Sequence, residues 1–217
     1  MLELYGTIAE ESWFDDDVTP RMFHDELFSG SGEVVIWLNS PGGDCIAASR
    51  IYAMLMDYAY HITVQIDGIA ASAASVIAMA GSKVLMAPTA LMMIHNPITL
   101  AYGDHQDMQK AIGLLDEVKE SIINAYEMKT TLCRTQLGQL MDSETWMNAN
   151  KAMELGFADG ILEDRKHSAS RNAYSFSTKN AHVSLVNKIT DKYRPKAEEK
   201  TGTACSELEK RLSLIKP

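Results

Sequence analysis

"VVIWLNSPGGDCIAASRIYAMLMDY", Val34 to Tyr58, holds the pattern that decides the fold. Val34 to Ser40 opens as an apolar run, Pro41-Gly42-Gly43 follows, and Cys45 to Tyr58 carries apolar residues at helical spacing. A short apolar run closed by turn residues reads as a strand buried on both faces, and the segment after it as a helix. The stretch therefore predicts one strand-turn-helix unit with the two glycines in the turn.

The same unit recurs on either side. Leu2 to Ile8 (LELYGTI) alternates like a half-buried strand, and DVTPRMFHDELF then offers Thr19 as a helix cap with Pro20 in the first turn. HITVQIDG followed by AASVIAMAG makes a third unit, KVLMAP and LMMIHNP read as short buried strands, and GDHQDMQKAIGLLDEVKESIINAYEMK is a long amphipathic helix. Buried strands alternating with helices predict an α/β fold.

A chain of 217 residues is long enough for one substantial core plus an appendage. Its net charge of −9 is unevenly spread: residues 1–164 hold 8 Lys and Arg against 24 Asp and Glu, a balance of −16, whereas residues 165–217 hold 12 against 5, a balance of +7. An acidic body argues against a nucleic-acid partner, because phosphate binding needs a basic face. From about Arg165 the texture turns polar (KHSASRNAYSFSTKNAH), which predicts a basic, partly mobile extension over 165–217. Two patches in it, VSLVNKI and SELEKRLSLI, have amphipathic spacing, the second with Ser206 and Glu209 placed as a capping box. No apolar run is long enough to span a bilayer, and MLELYGTIAEE has neither a basic start nor a cleavage site, so the expectation is a cytoplasmic protein without a membrane partner. Cys45, Cys133 and Cys205 are too few and scattered for a disulfide framework or a zinc site, and neither a metal nor a cofactor is expected.

Four features carry chemistry. Ser72 sits among small residues in DGIAASAASVIAMAG, between an apolar run and a helix. A serine there either caps the helix, the commoner use on this stretch alone, or presents a nucleophile. Ser75, one turn on, is expected to face the packed interior. His95 ends the apolar run of LMMIHNP, where a strand would hold a catalytic base, although a satisfied core histidine is commoner. The glycines of NSPGG suit either a plain turn or backbone N–H groups aimed at an oxyanion. In MDSETWMNANKAMELGFADGI, Asp142 and Glu144 precede Trp146 and a short helix, where exposed capping acids are the simpler reading.

Taken together, WLNSPGGD, DGIAASAASVIAMAG, APTALMMIHNP and ETWMNANKAMELGFAD, in this order and spacing, closely resemble the Clp protease proteolytic-subunit family, ClpP. The resemblance covers most of residues 2–164 and implies a ClpP/crotonase-like α/β fold with a handle helix, a peptidase domain over 1–164 and the extension over 165–217. It implies a serine endopeptidase in which Ser72 is the nucleophile, His95 the general base and Glu144, two residues before Trp146, the third member. The family has Asp at that third position, so Asp142 is the substitute if the longer Glu144 does not serve. The implied oxyanion donors are the N–H groups of Gly42 and Ala73, and Ser75 has no role. The implied partners are polypeptide substrates and further copies of the chain, in heptameric rings or a tetradecamer that encloses the sites.

The AASAASVIAMAG wording, the ETW segment and the polar extension resemble the phage and prophage branch, head-maturation proteases that process capsid or scaffold proteins without an ATPase. The chain starts almost at its first strand, so the axial loop that helps an AAA+ unfoldase dock is not expected. The alternatives are a conventional ATP-dependent proteolytic subunit working with such an unfoldase, and, from another class, a crotonase-type acyl-CoA hydratase or isomerase, which would give Ser72 and His95 no role.

Overall fold

The computed structural model describes residues 1–12 and 17–162. The extension over 165–217 and its two amphipathic patches lie outside the described residues. In chain order the elements are β1 (Leu2–Ile8), β2 (Asp17–Val18), α1 (Pro20–Leu27), β3 (Val34–Gly43), α2 (Cys45–Asp57), β4 (Ile62–Ala71), α3 (Ala73–Ala78), β5 (Lys83–Met86), β6 (Leu91–Ile94), α4 (His105–Lys129), α5 (Arg134–Asp142), β7 (Thr145–Asn148), α6 (Ala149–Glu154) and β8 (Gly160–Ile161). The fold is α/β, with the strands in the order β2-β1-β3-β4-β5-β8, and each neighbouring pair is parallel.

Local signals account for the starts of α1, α2 and α4. Thr19 caps α1 by accepting from the Met22 N–H at 3.2 Å, with Pro20 just inside. Asp44 Oδ1 takes the N–H groups of Ile46 and Ala47 at the head of α2, and Asp104 and Asp107 form a capping box on α4. One sheet face is the core: Leu4, Ile36, Leu38, Ile66, Val84 and Met86 lie beneath Phe23, Leu27, Ile51, Leu55 and Ile77, all buried. Each such side chain stabilises the fold by about 1.5–3 kcal/mol.

Two irregularities bend this sheet toward the site. Pro41-Gly42-Gly43 is not a turn. β3 continues through it, pairing Thr7 with Gly42 and Ile8 with Gly43 after a register shift against β1. Gly43 has φ +149°, and a Cβ there would lie 2.0 Å from the Ile8 carbonyl oxygen, so the backbones meet where only glycine fits. A second shift separates Leu38↔Ile66 from Ser40↔Ala70, leaving extra residues in β4. Asn39 Oδ1 accepts from the Ile69 N–H at 3.1 Å within it. Beyond this bulge β4 changes partner, from β5 at Thr63–Ile66 to β6 at Ile69–Ala71. The sheet thus forks near Gly68, and β6 carries the antiparallel β7 on its far edge. Bulges of this kind re-aim strands beside active sites.

Candidate active site

The fork brings three chain segments together. β4 ends at Ala71, so Ser72 stands at its tip before α3. β6 ends at Ile94 with His95 next, and β7 begins at Thr145 with Glu144 just before it.

Ser72 has φ 54° and ψ −123°, and its side chain makes no cap on α3. The capping use is therefore set aside. Its Oγ lies 2.8 Å from His95 Nε2, and its N–H donates to the Met93 carbonyl at 2.9 Å, which ties the turn to β6. The flanking Ala70, Ala71, Ala73 and Ala74 are buried; small side chains let α3 close against the sheet while Ser72 and His95 remain half-buried. Among the described residues only Ser72 and Glu144 (φ 45°) have positive φ without being glycine. Strained conformations of this kind collect at functional sites.

Gly42 comes against the same turn. A Cβ on it would fall 2.6 Å from Ala71 O, 2.8 Å from Ser72 Cβ and 2.9 Å from Ala73 N. The structure therefore brings Gly42, Ser72, Ala73 and His95 together. The Gly42 N–H donates to Ser40 Oγ at 3.1 Å.

The acids are placed differently. β6 and β7 pair Met93 with Trp146 and Ile94 with Thr145; the ladder ends there, with His95 just after β6 and, in the turn just before β7, Glu144 at φ 45°. Its carboxylate, however, accepts from Trp146 Nε1 at 3.2 Å. Asp142, at the end of α5, takes Lys119 Nζ at 2.6 Å and Asn96 Nδ2 at 2.8 Å. The Lys119 ammonium first, and Asn96 second, hold the Asp142 carboxyl below its ordinary range. Neither acid caps α6: Asn148 does, accepting from the Lys151 N–H at 2.9 Å.

Ser75 is interior, as expected, but its hydroxyl is engaged. It donates to the Ser72 carbonyl at 2.6 Å and lies 2.8 Å from Tyr126 OH on α4. Sequence reasoning missed Tyr126; its only signal was one phenol on the apolar stripe that α4 buries with Ile123 and Ala125. Beside Ala73 a cavity of about 200 Å³ opens between α2, α3 and α4, with Ala48, Tyr52, Val76 and Ile122 in its wall.

Chemically, an imidazole nitrogen 2.8 Å from a serine hydroxyl is placed to take its proton. Among the described residues no three His, Cys, Asp or Glu side chains gather as metal ligands, and no helix is long and apolar enough to cross a membrane. Residues 4–165 match the Clp protease family. The chain belongs to that family. It is 31% identical to the ATP-dependent Clp protease proteolytic subunit 1 of Chlamydia muridarum over 146 residues, 65% of this chain and 76% of that protein. The ATP-dependent Clp protease proteolytic subunit of Porphyromonas gingivalis is 31% identical over 158 residues, 70% of this chain and 71% of the relative. That of Tropheryma whipplei strain Twist, subunit 1, is 28% identical over 155 residues, covering 70% and 75%. This Clp protease is accordingly a ClpP-type serine peptidase.

Proposed function

We propose that this ClpP-type peptidase cleaves peptide bonds through Ser72, His95 and Glu144 inside a ring of its own copies, and that it is a phage-type enzyme acting on capsid or scaffold proteins. The observation that carries the catalytic part is the 2.8 Å contact between Ser72 Oγ and His95 Nε2 on a strained, uncapped serine.

In this reading Ser72 Oγ attacks the substrate carbonyl carbon as His95 Nε2 takes its proton. The amides of Gly42 and Ala73 receive the oxyanion; the Gly42 N–H turns to it from Ser40 Oγ. His95 then protonates the departing amine, and water releases the acyl group from Ser72 by the same steps in reverse order. Glu144, just before β7 as His95 is just after the paired β6, turns from the Trp146 indole to the imidazole and balances its positive charge. Asp142 is already committed to Lys119 and Asn96. The cavity beside Ala73 has room for an apolar substrate side chain.

Self-assembly is supported by exposed apolar residues. Ile98, Leu100 and Tyr102 before α4, and Ile112 and Leu114 on it, are 59–103% exposed, and α4 buries only Ile123, Ala125 and Tyr126. Several large apolar side chains exposed within one stretch of chain are consistent with burial against another copy. The phage-type assignment rests on the AASAASVIAMAG and ETW wording and on the polar extension. The second reading, an ATP-dependent proteolytic subunit, is favoured by the names of the relatives, each an ATP-dependent Clp protease subunit. Incubation with a folded substrate, with and without a Clp-type unfoldase and ATP, separates the two. The phage-type reading expects no stimulation, together with cleavage of a capsid or scaffold protein by the peptidase alone. Strong ATP-dependent stimulation would replace it with the second.

A further inference from the structure

Ser75 and Tyr126 form a buried chain of hydroxyls that ends on the nucleophile's own peptide group. The Ser72 carbonyl can only accept, and it receives both the N–H of Ser75 at 3.0 Å and its Oγ–H at 2.6 Å. That uses the one hydroxyl proton of Ser75, so in the 2.8 Å contact Tyr126 is the donor. Both residues are almost closed to solvent, Ser75 at 0% and Tyr126 at 1% exposure. Burial pushes the Tyr126 phenol far above its ordinary pKa, which keeps it a proton donor. The Tyr126 ring is itself wedged edge-on against Phe157, 5.4 Å between centroids.

A peptide group is planar and trans, so its carbonyl and the following N–H point in opposite directions. Fixing the Ser72 carbonyl toward α4 therefore fixes the Ala73 N–H away from it. Building on the serine-peptidase reading above, we propose that Ser75 and Tyr126 are positioning residues that hold the Ser72–Ala73 peptide plane, and with it one oxyanion donor, from the core of α4. The chain also links the longest helix to the nucleophile turn, whose φ of 54° needs such restraint. The small-residue reading of DGIAASAASVIAMAG left Ser75 as packing alone; the hydroxyl has a directed task.

The test compares wild type, S75A, Y126F and S75A/Y126F in kcat and KM for a short fluorogenic peptide, in the rate of Ser72 labelling by a fluorophosphonate, and in Tm. S75A is expected to lower kcat and the labelling rate by about tenfold with KM unchanged, less than loss of a whole oxyanion donor. Y126F keeps the direct Ser75–Ser72 bond and should lose about threefold or less. S75A/Y126F removes the phenol that S75A leaves unpaired, so it should regain Tm yet stay slow. If S75A does not fold, the double variant carries the comparison. A folded double variant with wild-type labelling and kcat would overturn the positioning role alone. A wild-type protein unlabelled at Ser72 would overturn the serine-peptidase site and this role together.

Discussion

Ser72 is held at φ 54° and ψ −123°, a conformation that costs roughly 1–3 kcal/mol for a residue bearing a Cβ. Its hydroxyl leaves the adjacent helix uncapped and faces His95 instead. A residue kept for function at the expense of stability has a distinctive mutational signature. Ser72→Ala and Ser72→Gly should both abolish peptide hydrolysis while remaining folded. The glycine variant should be the more stable by about 1 kcal/mol, because glycine adopts positive φ without the Cβ penalty; thermal unfolding and a peptide assay check both. His95→Ala should be as inactive as Ser72→Ala, since groups that act as a unit do not lose activity additively. For the acid, Glu144→Gln should lower kcat far more than Asp142→Asn; equal, mild losses would mean that Glu144 does not serve the imidazole. Asp142 instead makes a prediction about pH. Its depressed pKa means that its charge contributes stability above the ordinary carboxylate pKa and loses it as pH falls through the folded value. The Tm difference between wild type and Asp142→Asn should therefore be largest at neutral pH and close below about pH 4. The cluster is solvent-exposed, so the difference should be modest.

At the scale of elements, the paired glycines divide their labour. A Cβ on Gly43 would strike the Ile8 backbone, and one on Gly42 would strike the Ser72 turn. Gly43→Ala should cost about 2 kcal/mol or more of stability by forcing β1 from β3. Gly42→Ala should lower kcat by about a hundredfold or more through the oxyanion site. Unfolding and kinetic measurements on the two variants would show whether these effects separate. Such precision was only partly legible in the sequence. The apolar run of β3, the Thr19-Pro20 start of α1 and the amphipathic period of α4 were readable because they are local. The passage of β3 through Pro41-Gly42-Gly43 was not, because the same letters specify a turn unless β1 is already alongside. α5 and β7 escaped notice because both are short and lie between stronger signals. With β7 hidden, the pairing that brings the chain next to Glu144 beside the end of β6 was also hidden. The Tyr126–Ser75–Ser72 contact spans 51 residues of sequence at its longer step, and only the packing of α4 on α3 creates it.

For the whole molecule, the proposed self-assembly is tested at the exposed apolar residues around the start of α4, Leu100 and Tyr102 among them. Leu100→Asp combined with Tyr102→Asp should shift the native mass to smaller species and lower peptidase activity with it, because a charge at a buried interface is costly to desolvate. An unchanged particle would place the subunit contacts elsewhere. The catalytic claim underlies everything else, and it can be read on the intact particle. Native mass spectrometry after treatment with a fluorophosphonate, followed by peptide mapping, reports the assembly and its nucleophile together. A multi-subunit particle with one phosphonyl group per subunit on Ser72, and none in Ser72→Ala, is the expected result. A correctly assembled particle left unmodified at Ser72, or labelled on another residue, would contradict the account.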